Sequence, residues 1–577
     1  MPVLQVADKE NTTRNDKYKG IDIQVSVLKS CVAQRIYILT LLAWVLPMHA
    51  DSAVGTVFVD ENGNGIHDAG ESSVPGVRVS NGFDIVLTDD DGRYELPVDG
   101  DVVLFVVKPA GYGLPVDEDQ LPQFYYVHRP NGSPPHFRYQ GVAPTGPLPE
   151  SIDFPLLPQE EPKQFDVLLF ADPQPQTEVE LSYIRDDIVV ELMGSDARFG
   201  MTMGDIMFDD LSLFTRYNRL IGKIGVPWYN VPGNHELNFD AASDADSLET
   251  FTRFYGPTYY SFEYANVVFI ALDNVLYSGR VAPSVDNPTG RGSYLGRLDD
   301  RQMTWLTREI AHIPASKLVF LAMHIPLMGN AGPADRVHTE NGGEILSLLA
   351  DHPHVYSVAG HTHTAEHLYL DESGAASEDG RFHHHILSTV SGSWWSGPFD
   401  ERGIPVALQS DGTPNGYNVL TVENVSPTVR FKAAGKDPSY QMRISFDQAF
   451  HSDNPNGLRD FRHGELFDSR MTETQTGSTY LYVNLFDGGP KSKVSYRIDD
   501  GEFTAMPRVQ APSPAFLELQ NRNAESMKSW VTAYPSTHVW STRLPELEAG
   551  TYRLEARASD EFGREHTAFR VLEVTTD

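Results

Sequence analysis

The chain has 577 residues, 40% of them hydrophobic and 21% charged, a composition typical of a folded soluble protein with several domains. Its 79 acidic and 45 basic residues give a formal net charge of −34, which disfavours nucleic-acid binding because that binding depends on Lys and Arg neutralising phosphates. An anionic substrate would therefore need a local positive centre, which a bound metal can supply.

The first 50 residues have the features of a secretory signal. Arg35 precedes an apolar run at 36–46, and a small-residue exit follows at 47–50. A membrane span needs about 20 apolar residues, so this shorter run favours a cleaved signal, and no integral span is expected in the mature chain. The single cysteine, Cys31, lies in this segment, so the mature chain would have no disulfides. We predict an exported bacterial protein, periplasmic or secreted, with a signal peptide at 1–50.

Residues 51–145 alternate short β-type runs with turns, which predicts an N-terminal β-sandwich. Within it, the stretch DENGNGIHDAGE at 60–71 fits the calcium-loop pattern D-x-[DN]-x-[DN]-G-x5-E. The candidate calcium ligands are Asp60, Asn62, Asn64, Asp68 and Glu71. A plain turn is the alternative interpretation; a bound calcium ion would rigidify the domain.

Proline is dense before the central part of the chain. Six prolines occur in the 22 residues 141–162, which predicts a semi-rigid linker at 146–163. From 164 to 436, strand-like runs alternate with helical patterns, a texture typical of an α/β layer architecture. For example, VLLFA reads as a strand, and Leu181, Ile184, Ile188 and Leu192 then follow at helical spacing.

Residues 437–577 return to β-type runs such as TYLYVNLFD and TYRLEARASD, which predict a C-terminal β-sandwich. The predicted fold class is a multidomain protein. Its central α/β domain is a sandwich of β-sheets flanked by helices, and a β-sandwich domain lies on each side of it.

Short polar motifs follow the strand-like runs of the central domain, each at the point where a run ends. Their ligand-type residues are Asp172, Gln174, Asp205, Asn234, His324, His361 and His363. Because ligands of α/β sheets bind beyond the carboxyl ends of the strands, these side chains are expected to converge. Oxygen and imidazole donors without a thiolate suit Mn, Fe or Zn. Each motif alone is consistent with a turn or a core histidine, but together they predict a metal site.

Taken in order, the motifs resemble the signature of the calcineurin-like metallophosphoesterases, which is D-x-H, G-D, G-N-H-[DE], a lone His and G-H-x-H. Here it stands as DPQ at 172–174, GD at 204–205, GNHE at 233–236, His324 and GHTH at 360–363. The match spans roughly 165–434. The stretches FYYVHRPNGSPP and GSWWSGPFDERGIP also resemble an exported bacterial subgroup with N-terminal and C-terminal β-sandwich domains.

The resemblance implies two divalent metals that share the Asp205 carboxylate. The first metal would bind Asp172, Gln174 and His363. The second metal would bind Asn234, His324 and His361. A shared carboxylate and a bridging hydroxide offset the repulsion between cations about 3.5–4 Å apart. With two carboxylate ligands against two divalent cations, the site stays positive and can hold a phosphate within an acidic protein.

Gln174 stands where histidine is commoner in the family. Its amide oxygen is a harder donor than imidazole, and the Mn-dependent ADP-ribose and CDP-alcohol pyrophosphatase branch is similar in using D-x-Q. Manganese is therefore the favoured metal, with iron or zinc as alternatives. The other interpretation is that Gln174 makes no metal contact and the site holds effectively one metal.

The expected reaction is in-line attack of a metal-bound hydroxide on phosphorus. Asp205 and His235 are the predicted catalytic residues. His235 is not assigned to a metal, and its expected role is to protonate the leaving oxygen or to stabilise its developing charge. Asp209 is expected to cap the following helix, and orienting His235 is the alternative.

Three residues outside these motifs are candidate substrate contacts, namely Trp394, Trp395 and Arg129. Packing at a domain interface is the alternative for the paired tryptophans. Structural packing in the first sandwich is the alternative for Arg129. The histidines at 383–385 are interpreted as surface or supporting residues, with an additional metal site as the other interpretation.

The sequence therefore predicts an exported phosphoesterase with a small-molecule phosphate ester as substrate. Phosphodiesters or pyrophosphates are favoured over monoesters, and the absence of a basic aromatic track disfavours a nuclease. The alternative is a catalytically inactive cell-surface binding protein built on the same core. Inactive cores usually lose ligands, whereas here every ligand position holds a competent donor.

Overall fold

The structure is a computed structural model that describes residues 51–332, 334–377, 379–446 and 469–577, with only the backbone described at 334–335. The predicted signal peptide at 1–50, with Cys31, lies outside the described residues. Among those that are described, no helix has both the length and the apolarity needed to cross a bilayer.

The N-terminal domain is a β-sandwich of two four-stranded sheets. Its strands are β1 (Asp51–Val59), β2 (Arg78–Ser80), β3 (Ile85–Leu87), β4 (Arg93–Val98), β5 (Val102–Val106), β6 (Tyr112–Gly113), β7 (Tyr125–His128) and β8 (Phe154–Pro158). One sheet has the order β4-β1-β8-β6 and the other β3-β2-β5-β7. In β4, every second residue is buried, which is the alternation that places one face of a strand on a core.

The stretch 146–163 differs from the predicted linker because it contributes a strand to the first sandwich. Strand β8 pairs in parallel with β1, with Val57 opposite Phe154. The prolines suggested a linker, but the segment also has the alternation of buried residues that is typical of a strand, with Phe154 and Leu156 in the core. The first sandwich therefore extends to Pro158.

The central domain contains two larger sheets and most of the helices. Its strands are β9 (Gln164–Phe170), β10 (Phe199–Met203), β11 (Trp228–Val231), β12 (Tyr260–Tyr264), β13 (Val267–Ala271), β14 (Val275–Tyr277), β15 (Tyr294–Gly296), β16 (Leu318–Ala322), β17 (Val355–Ala359), β18 (Glu366–Leu370), β19 (Phe382–Ile386), β20 (Gly416–Glu423) and β21 (Ser426–Ala433). Its α-helices are α1 (Glu178–Ile184), α2 (Val190–Leu192), α3 (Phe214–Ile221), α4 (Glu249–Tyr255), α5 (Asp300–Ala311), α6 (Ala334–Val337) and α7 (Gly342–Leu348). A π-helical turn at Arg185–Val189 joins α1 to α2, and 3-10 turns lie at Leu211–Leu213, Gly222–Ile224 and Asp244–Asp246.

The two large sheets pack face to face, with helices outside. One has the order β11-β10-β9-β20-β21 and the other β12-β13-β16-β17-β19-β18. In β9, Val167 and Leu169 belong to the core between the sheets, whereas Leu168 and Phe170 belong to the core beneath the helices. Strands covered on both faces read as continuous apolar runs, which explains the sequence VLLF. This arrangement confirms the predicted α/β sandwich.

Parallel strands bring their carboxyl ends to the same region of this domain. Strands β9, β10 and β11 run parallel in one sheet. Strands β13, β16 and β17 run parallel in the other sheet. The loops that leave these ends carry the predicted metal ligands, as expected for an α/β sheet.

The C-terminal domain is the predicted second β-sandwich. Its elements are β22 (Met442–Phe446), β23 (Arg470–Thr472), α8 (Glu473–Thr476), β24 (Tyr480–Leu485), β25 (Lys493–Ile498), β26 (Thr504–Met506), β27 (Arg508–Pro512), α9 (Pro514–Arg522), β28 (Pro535–Arg543), β29 (Gly550–Ser559) and β30 (Glu565–Thr575). The sheets have the orders β22-β24-β28-β27 and β23-β30-β29-β25-β26. They enclose a separate apolar core that includes Trp540 and Leu554.

Candidate metal centre

The predicted ligands of the central domain lie together at the carboxyl ends of the strands. We call this group the strand-end site, and its members are Asp172, Gln174, Asp205, Asn234, His324, His361 and His363. They follow β9, β10, β11, β16 and β17. The ligand atoms of Asp205, His324 and His361 all lie within 4.8 Å of one another.

The backbone of this site is held in an uncommon conformation. Asp172, Gln174, Asp205, His361 and His363 have φ angles of 47°, 40°, 49°, 75° and 52°. Non-glycine residues rarely adopt positive φ, and such residues cluster at functional sites, where the surrounding structure enforces the conformation. These turns follow the ends of β9, β10 and β17.

Two glycines of the motifs allow the carboxylates to approach the neighbouring loops. A Cβ atom on Gly233 would lie 2.3 Å from Asp205 Oδ1. A Cβ atom on Gly360 would lie 2.4 Å from Asp172 Oδ2. No larger residue fits at either position, which explains why the motifs read G-N-H and G-H-x-H.

Asp205 is the central residue of the site. Its Oδ2 accepts a hydrogen bond from Gln174 Nε2 at 2.5 Å, and its Oδ1 accepts one from the His235 backbone N–H at 3.0 Å. His324 Nε2 lies 3.2 Å from Asp205 Oδ1. Both carboxylate oxygens therefore face side chains from different loops, as a group shared between two metals must do.

Two histidines face each other through one ring nitrogen each. His324 Nδ1 donates to the Met203 carbonyl at 2.8 Å, and His361 Nε2 donates to the Arg336 carbonyl at 2.9 Å. The other nitrogens, His324 Nε2 and His361 Nδ1, face each other at 3.1 Å. Burial lowers the pKa of His324, but the Asp205 carboxylate raises it to about 9, so without a metal His324 Nε2 carries a proton that metal binding would displace. Asn234 Oδ1 lies 3.1 Å from the same His324 nitrogen. Converging ligand atoms of this kind fit a cation.

Two further atoms of the strand-end site are buried without a partner. His363 Nδ1 is engaged with the Gly392 carbonyl at 2.7 Å, and His363 Nε2, 3.6 Å from Asp172 Oδ1, has no hydrogen bond among the described residues. Gln174 Oε1 also has none. Buried polar atoms are normally satisfied, so these acceptors, next to a carboxylate, fit a first metal position.

Burial and neighbouring charges shift the pKa values of the buried groups of the site. Burial raises the pKa of Asp172 to about 7. Burial acts in the same direction on Asp205, but the charges of His324 and His235 outweigh it and hold the pKa of Asp205 below its usual value. Burial and the charge of His324 lower the pKa of His361 to about 3, so this ring is neutral and available as a ligand.

His235 lies at the edge of the site, where Asp209 contacts its ring and Arg291 holds Asp209 in place. Its Nδ1 lies 2.6 Å from Asp209 Oδ1, and its Nε2 lies 3.9 Å from Asp205 Oδ2. Asp209 is fixed in turn by Arg291, whose Nη1 donates to Asp209 Oδ2 at 2.7 Å. The expected helix cap is therefore wrong for Asp209, which orients His235. The neighbouring Asp210 is the cap and accepts from the Ser212 backbone N–H.

The two tryptophans differ in what they contact. Trp394 stacks on the His363 ring, with centroids 3.7 Å apart, so it borders the strand-end site. Trp395 is buried, and its Nε1 donates to the Pro173 carbonyl at 2.8 Å. The predicted substrate contact is thus corrected for Trp395, because it supports the backbone between Asp172 and Gln174.

Arg129, also predicted as a substrate contact, instead takes part in an ion-pair network that joins the first sandwich to helix α4 of the central domain. Its guanidinium pairs with Glu249, and its Nη1 lies 3.2 Å from Asp101. It lines a cavity whose described lining residues include none of the strand-end ligands. The linked carboxylates, not a phosphate, neutralise this arginine.

An aromatic residue of the C-terminal domain, Trp530, lies next to the strand-end site. Its ring stacks on Phe208 at 5.8 Å and meets the edge of Trp394 at 6.4 Å, and 47% of the residue is exposed. Phe208 in turn stacks on His235 at 4.3 Å. Sequence reasoning missed Trp530 and Arg291, because neither belongs to a motif.

The loop predicted to bind calcium forms a compact turn. Asp60 accepts hydrogen bonds from the backbone N–H groups of Gly63 and Gly65, at 2.7 and 2.8 Å. Asp68 accepts from the Asn62 and Asn64 amides. These bonds give each carboxylate a partner within the loop, and calcium binding stays a prediction.

Models of one protein family match most of the chain. A model described as calcineurin-like phosphoesterase matches residues 167–365. Models for the N terminal and the C terminal of calcineurin-like phosphoesterase match 61–142 and 384–566. The three matches cover parts of all three described domains, and the last of them includes Trp530.

A curated relative and two solved structures are also similar. The 3',5'-cyclic adenosine monophosphate phosphodiesterase CpdA of Escherichia coli K12 is 27% identical over 176 residues, which are 30% of this chain and 55% of the relative. The chain thus spans about half the length of this relative. A dimetal phosphatase from Danio rerio is 16% identical, with a TM-score of 0.32, over 47% of this chain and 96% of that one. The purple acid phosphatase PPD1 of yellow lupin is 12% identical, with a TM-score of 0.35, over 62% of this chain and 67% of that one.

Proposed function

The chain belongs to the calcineurin-like phosphoesterase family, and on that premise we propose that it is an exported hydrolase of small-molecule phosphodiesters or pyrophosphates. One observation carries the proposal. His324 Nε2, His361 Nδ1 and His363 Nε2 converge with the carboxylates of Asp172 and Asp205, and the second nitrogen of each ring is bonded to a backbone carbonyl. That donor set fits divalent cations better than a hydrogen-bonded core.

We propose two metal positions on either side of Asp205. Asp172, Gln174 and His363 would hold one cation, and Asn234, His324 and His361 the other. Manganese is favoured because, with the shared Asp205, four of the seven ligands are oxygen donors. When bound, such a pair supplies Lewis-acid stabilisation of phosphoryl oxygens and activates water. The side-chain oxygens of Gln174 and Asn234 add no charge, so the pocket attracts an anion in a chain of net charge −34.

His235 is proposed to protonate the leaving oxygen. Its Nδ1 is engaged by Asp209, which leaves Nε2 directed toward the Asp205 side of the site. Burial works against a charged ring, but the carboxylates of Asp205 and Asp209 raise the pKa of His235. Arg291 holds Asp209 in place, so the proton donor is positioned before substrate arrives.

The aromatic edge of the site supports an ester that carries a planar group. Trp394 and Trp530 lie beside His363 and Phe208, and the exposed part of the Trp530 ring offers a flat apolar surface. A nucleobase or an aryl ring attached to the phosphate could stack there. The activity of the curated relative makes cyclic AMP one such substrate to test.

The test compares three esters on one protein. Metal-depleted protein is reloaded with Mn²⁺ and assayed with bis(4-nitrophenyl) phosphate, 4-nitrophenyl phosphate and cyclic AMP, with His235→Ala as the variant that keeps its metals. We expect metal-dependent turnover, faster with a diester than with the monoester. A faster monoester reaction would overturn the diester preference. Failure to bind metal and to hydrolyse any ester would favour the binding-protein alternative.

A further inference from the structure

A second group of potential ligands lies between the central domain and the C-terminal sandwich. We call it the interdomain cluster, and it consists of His367 in β18, His385 in β19 and Asp487, which follows β24. All three are buried, and their ligand atoms lie within 4.8 Å of one another. None belongs to the strand-end site.

Strand geometry creates this pair of histidines. His367 and His385 are directly opposite each other on the antiparallel strands β18 and β19, and their rings stack with centroids 3.9 Å apart. Side chains alternate between the faces of a strand, so His383 shares this face and His384 lies on the other. In this run His384 and His385 are buried and His383 is half-buried, so the surface interpretation is wrong, whereas the supporting interpretation stays open.

The hydrogen bonds of the two rings direct the same type of nitrogen at the carboxylate. His385 Nδ1 lies 3.0 Å from the Tyr356 hydroxyl, and His367 Nδ1 lies 2.8 Å from His383 Nε2. Both Nε2 atoms face Asp487 Oδ1, at 2.9 Å for His385, which is a hydrogen bond without a metal, and at 3.4 Å for His367. When Tyr356 and His383 accept from the Nδ1 atoms, both Nε2 atoms are available as ligands. Metal-bound histidines usually have such a partner on the second nitrogen.

Two atoms of the cluster are buried without a hydrogen-bond partner among the described residues. They are His367 Nε2 and Asp487 Oδ2. Neighbouring ligands of a tetrahedral zinc ion, bound at about 2.0–2.1 Å, lie about 3.3 Å apart. The separations of 2.9 and 3.4 Å bracket this value. The ligand atoms of the cluster are therefore spaced as around a zinc ion, and two of them have no hydrogen-bond partner.

We propose that His367, His385 and Asp487 bind a structural Zn²⁺ ion that joins the central domain to the C-terminal sandwich. Imidazole and carboxylate are both zinc ligands, and a water would take the fourth position because the cluster offers three protein ligands. The ion would fix the sandwich that carries Trp530 beside the strand-end site. Its chemistry is independent of the phosphoesterase reaction.

The alternative to a bound zinc ion is a protonated His367 that forms an ion pair with Asp487. Burial lowers the pKa of His367, but the Asp487 carboxylate acts against this and raises it above the usual value. Without a metal, a charged His367 would then pair with Asp487. The two arrangements differ in zinc content and not in fold.

The test locates and counts zinc. Anomalous diffraction on both sides of the zinc edge from wild-type crystals grown with Zn²⁺ should give a peak between His367, His385 and Asp487, separate from any peak at the strand-end site. Metal analysis should then show one zinc equivalent fewer in Asp487→Asn and in His367→Gln. His384→Gln is the matched control, because it changes a buried histidine of the same strand on the opposite face.

The control protein should keep the wild-type zinc content. A wild-type map with no peak at the cluster would overturn the proposal, and so would unchanged zinc content in both cluster variants. If neither variant is soluble, the anomalous map decides alone.

Discussion

The strand-end site and the interdomain cluster use the same residue types in opposite settings. Five of the seven strand-end ligands have positive φ in turns beyond the ends of parallel strands, and His235 and Trp530 at the border of the site are partly exposed. In the interdomain cluster, His367 and His385 lie within regular antiparallel strands and are fully enclosed.

This difference separates a reactive site from a structural one. Strained turns cost stability, and they persist where a precise side-chain arrangement is required for function. A cross-strand pair in a regular sheet has no such strain but also no access for substrate. We therefore expect changes at the strand-end site to alter catalysis and changes at the interdomain cluster to alter the stability of the C-terminal sandwich.

The largest effect is expected from Asp205→Asn, which removes the charge shared between the two metals. Metal content should fall by at least one equivalent and kcat by roughly a thousandfold or more. Metal analysis and diester kinetics on the same sample measure both. Asp437→Asn, on the exposed surface, is the control for the chemical change. A wild-type kcat in Asp205→Asn would mean that the strand-end site is not the reactive site, and it would contradict the proposed difference between this site and the interdomain cluster.

His235→Ala should lower kcat by about 10²–10⁴-fold while both metals stay bound, because it removes the proton donor and no ligand.

Asp209→Asn should act through His235 and lower kcat by about 10–100-fold, with KM unchanged. Steady-state kinetics with metal analysis separates these roles. If Asp209→Asn changes only KM, Asp209 contacts the substrate and does not position His235.

Gln174→Ala tests whether this residue is a ligand or only a hydrogen-bond donor to Asp205. Loss of the Oε1 donor should weaken one of the two manganese sites by about 10–100-fold. Gln174→His restores the residue that is commoner in the family and should keep both metals. A manganese titration followed by calorimetry measures the two affinities. Equal affinities in wild type and Gln174→Ala would remove Gln174 from the ligand set.

The smallest effect is expected at the border that the C-terminal sandwich supplies. Trp530→Ala should raise the KM for bis(4-nitrophenyl) phosphate by about three- to tenfold with little change in kcat, since one aromatic contact is lost. Trp530→Phe should retain most of the affinity. A fall in kcat with an unchanged KM would instead assign Trp530 to the reacting centre.

The sequence predicted the fold class and the strand-end residues because both have local signals. Buried parallel strands read as continuous apolar runs, and glycines beside Asp172 and Asp205 are required by close packing. Trp530 and Asp487 have no such signal, because their partners lie in another domain. The strand at 154–158 was missed because its prolines resembled a linker, although Phe154 and Leu156 alternate as a buried strand requires.

Manganese content and diester turnover, measured together as metal-depleted protein is titrated with Mn²⁺, test the central claim most directly. We expect turnover of bis(4-nitrophenyl) phosphate to be negligible without metal and to reach its full value as the strand-end site fills with two equivalents. The His324→Ala protein should not reach this value at any Mn²⁺ concentration. Full turnover by metal-free protein, or binding of two equivalents without turnover of any phosphate ester, would contradict the assignment of a metal-dependent phosphoesterase.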